Sequence, residues 1–379
     1  MYQDEQMNVS IVATSSPFSP NWSLFQQKKH ERRHAGMERA LTDRQPKLSA
    51  RSGMSRKAIP EQTRAGTDRR TAEAIALGVQ FILAQQQEHR WMELQGRNGV
   101  PDRWVTAYVL ARLGDLPASC FRSSQQQQIV LALEWILQAR SEGVWSSAAG
   151  APADAESTAW AVISLRQHGR TVSRSVLDWL QRCRCAGGGF AVRPRTELES
   201  SDVEGCDCAT RPATTALAVK ALGDLDSSTE DYLASHLTMP ATAQAGNSSD
   251  RFYICSEILD CDAALAPWSR LNRVCQLTAL ENPETSFDVA LLLRCLSRLR
   301  MRRARSVADS LLARQRQDGS WPGTPVLGPA LHGVRSAHQA VVDQSGLLAT
   351  ATAVSALMLG EGQPGLFFGS DLPRPRRLF

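Results

Sequence analysis

The feature that most limits how this chain can fold is a short pattern that returns five times. It consists of Thr-Ala, once Val-Ala, followed by apolar residues four and seven positions on. The copies are Thr106-Ala107 with Leu110 and Leu113, Thr158-Ala159 with Val162 and Leu165, and Thr215-Ala216 with Val219 and Leu222. Val289-Ala290 with Leu293 and Leu296, and Thr350-Ala351 with Val354 and Leu357, complete the set. Apolar residues at that spacing share one face of a helix, and the paired small residues let neighbouring helices approach closely. Successive copies lie 52, 57, 74 and 61 residues apart, enough for two helices and their loops. A repeat of that length implies helix pairs that stack side by side and bury a continuous core.

A second pattern accompanies the first. An amphipathic helix ends in Gln, and a Gly-containing turn carrying an aromatic residue follows. It reads Trp135-Ile-Leu-Gln138 with Gly143-Val-Trp145, Trp179-Leu-Gln181 with Gly188-Gly-Phe190, and Leu311, Gln315 with Asp318-Gly-Ser-Trp321-Pro-Gly323. A weaker copy is Phe81-Ile-Leu-Ala-Gln85 with Trp91. Glycine ends the helix in a conformation that other residues resist. The Gln amide is expected to satisfy turn carbonyls, while the aromatic packs across the hairpin.

Together these features resemble the QW repeats of the squalene–hopene cyclase and class II terpene cyclase superfamily, which also includes protein prenyltransferase β subunits. The resemblance runs over roughly residues 72–360, with the Gln-Asp-Gly-Ser-Trp turn as its most specific piece. It implies an all-α fold, an α/α toroid of helical hairpins in which an inner ring lines a central cavity. Hopene-type cyclases have two such domains, and this chain has room for one. The expected organisation is a flexible basic extension over residues 1–70, the toroid over 71–362 and a tail over 363–379.

Composition narrows the partners. The chain is 42% hydrophobic and 21% charged, ample for a large core, and its net charge of +5 comes largely from the two ends. No basic stripe interleaved with aromatics crosses the repeat region, so nucleic acid is not an expected partner. A basic extension also suits peripheral contact with an anionic membrane. No apolar run is long enough for a membrane span, and no signal peptide is visible. Nine cysteines without an export signal fit a reducing, cytoplasmic setting.

The candidate chemistry lies where one repeat differs from the rest. Asp154-Ala-Glu-Ser-Thr-Ala159 precedes and opens the second helix of the Thr-Ala series. It resembles the Asp-x-Asp-Asp-Thr-Ala motif of class II cyclases, whose middle acid protonates an alkene or epoxide and starts a carbocation cascade. Position by position, Asp154 takes the first acid, Glu156 the proton donor and Ser157 the last acid. A donor of this kind has to be held protonated in a dry, apolar site, with Asp154 expected to accept a hydrogen bond from it. Glu is longer than Asp, and Ser157 removes one partner. Only this repeat carries acids four and two positions before the Thr or Val; the first has Asp102 and then Trp104. The competing reading is local: Asp154 caps the helix and Glu156 favours its dipole.

The substrate implied by the resemblance is a hydrophobic isoprenoid, with Ser157, Trp104, Trp160, Asp102 and Asp343 as candidate binding residues. The aromatics number 23 in all, and few besides Trp104 and Trp160 fall near the acid. No redox cofactor is required, and Mg²⁺ enters only with a diphosphate substrate. Two Cys-x-Cys units, Cys183-Arg-Cys185 and Cys206-Asp-Cys208, form a second candidate, for structural zinc. Catalytic zinc of the prenyltransferase type is a third reading. Glu204-Gly-Cys206 has the required gap, but the helix around Ala349–Val354 has no His, and His332 and His338 lie in the preceding loop with Arg335. The rival from another class is a non-catalytic toroid that binds a lipid, a peptide or a carrier protein.

Overall fold

The structure is a computed structural model and describes residues 61–92, 101–197, 210–238, 248–261, 283–323, 325–326 and 341–361. All of them belong to one unit, Pro60–Phe379. Among the described residues there are eleven α-helices: α1 (Glu61–Ala84), α2 (Asp102–Leu113), α3 (Ser123–Gln138), α4 (Ala155–Gln167), α5 (Arg174–Arg182), α6 (Pro212–Leu222), α7 (Ser227–Thr238), α8 (Ser248–Asp260), α9 (Ser286–Arg298), α10 (Ala304–Leu312) and α11 (Leu347–Glu361). A two-residue antiparallel pair, Pro325–Val326 with Val341–Val342, is the one sheet among them. The first helix begins before residue 71, ahead of the point where the repeat's periodicity starts. Among the described residues no helix is long and apolar enough to cross a membrane.

Six helices close a ring. Contacts run from α2 to α4, α6, α8, α9 and α11, and from α11 back to α2. The others pack outside: α1 on α11, α3 on α2, α5 and α7 on α6, and α10 on α9. This is an α/α toroid. Five inner helices carry the Thr-Ala or Val-Ala pattern. The sixth, α8, lies in the 74-residue gap between Thr215 and Val289 and lacks the pattern altogether. Its interior-facing residues therefore escape any search by repeat.

The two sequence patterns form one device. In four copies the Thr Oγ1 accepts the backbone N–H of the aromatic in the preceding turn: Thr106 from Trp91 at 3.0 Å, Thr158 from Trp145 at 3.2 Å, Thr215 from Phe190 at 2.8 Å and Thr350 from Trp321 at 2.9 Å. Each indole N–H donates back to the outer helix, to the carbonyls of Ile82, Ile136 and Leu311. Among the pattern's glutamines, Gln315 bonds the turn carbonyl of Gly319 at 3.0 Å. Gly319 has φ of +86°, and a Cβ there would lie 2.5 Å from the Leu77 carbonyl of α1. Only glycine permits both the turn and that approach.

Because Thr faces the outer layer, positions two before and two after it, about 200° around the helix, face the axis. They form two layers. The first comprises Trp104, Glu156, Ala213, Phe287 and Leu348, and the second Tyr108, Trp160, Leu217, Leu291 and Thr352, all buried. A third layer joins the C-terminal ends of α2, α8, α9 and α11. There Arg112 pairs with Glu257, and Arg294 pairs with Asp260 and Asp115 and also bonds Ser355. These links require the four helices to point the same way, so their N-termini share the opposite end.

Candidate active site

Glu156 sits in the first turn of α4 with 7% of its surface exposed. It is the one carboxylate in a layer otherwise made of Trp104, Ala213, Phe287 and Leu348. No Lys or Arg among the described residues forms an ion pair with it. Its partner is a hydroxyl from the helix that the repeat misses: Tyr253 of α8 lies 3.0 Å from Glu156 Oε1. Trp160, one turn below Glu156, has its Nε1 3.1 Å from the Tyr253 oxygen. An indole N–H can only donate, so the phenol oxygen accepts from Trp160, and the Tyr253 hydroxyl donates to Glu156 Oε1.

Burial pushes the Glu156 carboxyl up to about 7, and the like charge of Asp154 adds to the rise. The Tyr253 hydrogen bond, Arg211 and Trp104 act in the opposite direction and are outweighed. Desolvation is the largest cause, as for any carboxylate moved from water to an apolar layer. Asp154 is raised for the same first reason, to about 6, although the Ser157 hydrogen bonds, Arg193 and Arg211 lower it.

Asp154 is the N-cap of α4. Its Oδ1 accepts the Ser157 backbone N–H and its Oδ2 accepts the Ser157 hydroxyl, both at 2.7 Å. The capping geometry and a buried neighbouring acid are therefore both present, on different residues. Ser157, at the position of the family's third acid, spends its hydroxyl on Asp154. The side chain that reaches Glu156 is that of Tyr253, in place of the bond expected from Asp154.

The other candidate binding residues divide. Trp104 stacks on Tyr108, with centroids 5.2 Å apart, and Tyr108 meets Trp160 edge-on at 5.0 Å. All three lie on the axis near Glu156. Asp102 is held 3.5 Å from Arg90, and burial raises its pKa. Asp343 is buried before α11, where its two oxygens accept the N–H groups of Leu348 and Ala349 at 3.1 and 2.9 Å. It serves the helix N-terminus, so its carboxylate is engaged by backbone.

Cys183 is buried, its thiol is 3.6 Å from the Trp179 carbonyl, and burial pushes its pKa up. Cys185 is partly buried and bonds the Cys183 carbonyl at 3.8 Å. Cys206 and Cys208 lie outside the described residues, as do Glu204, His332, Arg335, His338 and the tail. Among the described residues no group of three or more His, Cys, Asp or Glu is placed to hold a metal.

Sequence reasoning missed Tyr108 and Tyr253. Tyr108 follows the first Thr by two positions, the same register as Trp160, and the repeat alone marks it as interior. Tyr253 carries no such signal, because α8 lacks the pattern.

No family model matches the chain, and no curated protein matches it in sequence. Solved structures do match in shape. A protein from Actinoplanes superposes with a TM-score of 0.63 at 21% identity, covering 76% of this chain and 99% of its own. A variant of type II terpene cyclase MstE from Scytonema, in complex with the substrate geranylgeranyl dihydroxybenzoate, gives 0.62 at 22% identity, covering 78% and 99%. Another variant, in complex with the product merosterolic acid A, gives 0.61 at 21%, covering 78% and 98%. At these identities the likeness establishes the architecture: the chain has the α/α toroid of a class II terpene cyclase-like fold.

Proposed function

We propose that the chain is a class II terpenoid cyclase that starts ring closure by protonating a terminal alkene from Glu156. The observation that carries this reading is a carboxyl with no ion pair among the described residues, held in an apolar layer and pushed up to about 7. Such a group keeps a large protonated fraction near neutral pH, and proton donation requires that form. Because Tyr253 donates to Oε1, the acid proton resides on Oε2.

The steps balance within one molecule and solvent. The Oε2 proton forms a C–H bond at the less substituted alkene carbon and leaves a tertiary cation. The next alkene supplies the electron pair for a C–C bond. The final cation loses a neighbouring proton to water, and Glu156 recovers one from solvent, so product and substrate are isomers. The rings of Trp104 and Trp160 are the π systems beside the acid, suited to a developing positive charge. Asp154 acts through its charge and through the cap that fixes the first turn. No redox cofactor is needed, and Mg²⁺ belongs to the reaction only if the substrate carries a diphosphate. The substrates of the MstE complexes point to an isoprenoid attached to an aromatic acid as the first compound to try.

The test is incubation of the full chain with geranylgeranyl dihydroxybenzoate, geranylgeranyl diphosphate, farnesyl diphosphate and squalene, with mass analysis of extracts. A new compound of unchanged mass is expected from at least one, and Glu156→Gln is expected to remove it. Turnover that survives Glu156→Gln would overturn the assignment of the acid. No product from any substrate would favour the non-catalytic toroid that binds a lipid or carrier.

A further inference from the structure

The turn between α9 and α10 departs from two local preferences, and both departures bring in arginine. From Val289 to Ala308 the chain has six arginines and no acid. Arg294 belongs to the third layer of the ring. The others follow one another around this turn, with Arg298, Arg300, Arg302 and Arg303 exposed and Arg305 half-buried. α9 ends in a Schellman motif, in which the Arg300 N–H bonds the Ser297 carbonyl at 3.0 Å and the Met301 N–H bonds the Leu296 carbonyl at 2.9 Å. The motif holds Arg300 at φ of +57°, a left-handed conformation that side chains resist. α4 ends with the same pair of bonds, from Gly169 and Arg170, and there the left-handed residue is glycine, at φ of +72°.

The second departure is at the start of α10. Its N-cap is Arg303, whose side chain makes no cap bond, and its first turn holds no acid. Arg302, Arg303 and Arg305 instead set positive charge against the positive end of the helix dipole. Neighbouring positions that depart from local preference in the same direction mark a segment under another demand. What the two departures share is positive charge at the surface. Arg298 is paired with buried Asp260, and Arg300 has no ion pair among the described residues.

We propose that the α9–α10 turn is a docking surface for an anionic phospholipid membrane, which meets the C-terminal end of the ring, away from Glu156. The exposed large apolar residues among the described ones are Leu77 and Val130, on α1 and α3. Leu299 and Met301, within the turn, are half-buried and pack inward. The patch therefore offers neither an aromatic to stack on a base nor an apolar anchor to fill a pocket of a protein partner. Its attraction is summed charge, and the partner that fits is a surface dense in mobile anionic head groups. The proposal stands whether or not Glu156 donates a proton.

The experiment sediments the full chain with mixed phosphatidylcholine–phosphatidylglycerol vesicles and with pure phosphatidylcholine vesicles. Binding is expected to the mixed vesicles alone and to weaken as salt is raised. Joint Arg300→Gln, Arg302→Gln and Arg303→Gln substitution is expected to weaken it on the order of a hundredfold. The same change at Arg174, Arg182 and Arg195, exposed around α5, is expected to leave most of it. Arg300→Gly separates charge from folding: it relieves the left-handed residue, so it should melt higher than wild type and bind the mixed vesicles less. Equal binding to both kinds of vesicle, or no loss in the α9–α10 triple variant, would overturn the proposal. So would equal losses in the two triple variants, which would assign the effect to net charge. Tighter binding to double-stranded DNA than to mixed vesicles would overturn it in favour of a nucleic acid. If the α9–α10 triple variant does not fold, as read by circular dichroism, Arg300→Gly decides, and undiminished binding by it would overturn the proposal.

Discussion

The two ends of the inner ring bury carboxylates to a similar depth and leave them in opposite electrostatic states. At the C-terminal end, Asp260 meets Arg294, Arg298, Lys220 and Arg112. Arg294 foremost among these cations outweighs the cost of burial and holds the Asp260 carboxyl well below its ordinary value. At the N-terminal end, Glu156 has a phenol and two indoles for company, and burial holds it up at about 7. The same desolvation acts at both ends: the cations ion-paired to Asp260 outweigh it, whereas Arg211, which forms no ion pair with Glu156, does not. One end is therefore built as a permanently charged brace, and the other as a group that can give up a proton. The largest effect expected from breaking this contrast is at the brace. Arg294→Met removes one of the four cations around Asp260 and the ion-pair partner of buried Asp115, and breaking a buried pair from one side costs about 3–5 kcal/mol. Urea unfolding should show it as a lower midpoint at unchanged slope.

The opposite end should respond in the opposite direction. The folded-state pKa of Glu156 lies above its ordinary 4.5. The folded protein therefore holds its proton more tightly than the unfolded chain does. Stability from this group is complete below about 4.5 and is lost as pH rises through about 7. The difference corresponds to something on the order of 3 kcal/mol at alkaline pH. Glu156→Gln keeps an oxygen for Tyr253 and cannot ionise. It should match the wild-type melting temperature at pH 4 and exceed it at pH 8, while losing turnover at both. A variant that melts lower than wild type at pH 8 would mean that Glu156 stabilises as an anion, which is the dipole reading of the same residue.

How much of this contrast the sequence discloses depends on which helix is asked. The Thr-Ala register identifies five inner helices, places Glu156 toward the axis and, read two positions further on, marks Tyr108 and Trp160 as its neighbours. That works because the repeat encodes a physical bond: the Thr hydroxyl holds the aromatic turn, so its partners across the helix must face inward. Thr158→Val, which removes the bond to Trp145, should cost about 1–2 kcal/mol by leaving a buried N–H unpaired, and this would check the register directly. Nothing comparable exists for α8. It holds its place through Tyr253, Glu257 and Asp260, whose partners Glu156, Arg112 and Arg294 are remote in sequence. Long-range polar contacts leave no local periodicity, so Tyr253 of the candidate site and Glu257 and Asp260 of the brace were invisible before folding. Asp154 shows another limit. A helix cap and a catalytic neighbour use the same residue types, and here both carboxyls are raised by burial while only Asp154 has the cap geometry.

The smallest expected effect separates the two ends most finely. Tyr253→Phe keeps the ring and deletes the hydroxyl that lies 3.0 Å from Glu156 and 3.1 Å from Trp160. Loss of one buried hydrogen bond should lower stability by about 1 kcal/mol, near the limit of an unfolding measurement. The pH profile of turnover reads the change more sharply. The Tyr253 hydrogen bond lowers the pKa of Glu156 against the larger upward pull of burial. Its removal should therefore move the alkaline limb of the profile to higher pH, because the acid keeps its proton longer. Turnover at low pH should fall, since Glu156 loses the contact that orients Oε2. A merely structural tyrosine would lower activity equally at every pH. A limb that moves to lower pH would show that Tyr253 supports the protonated acid, accepting from it where the structure has the phenol donating.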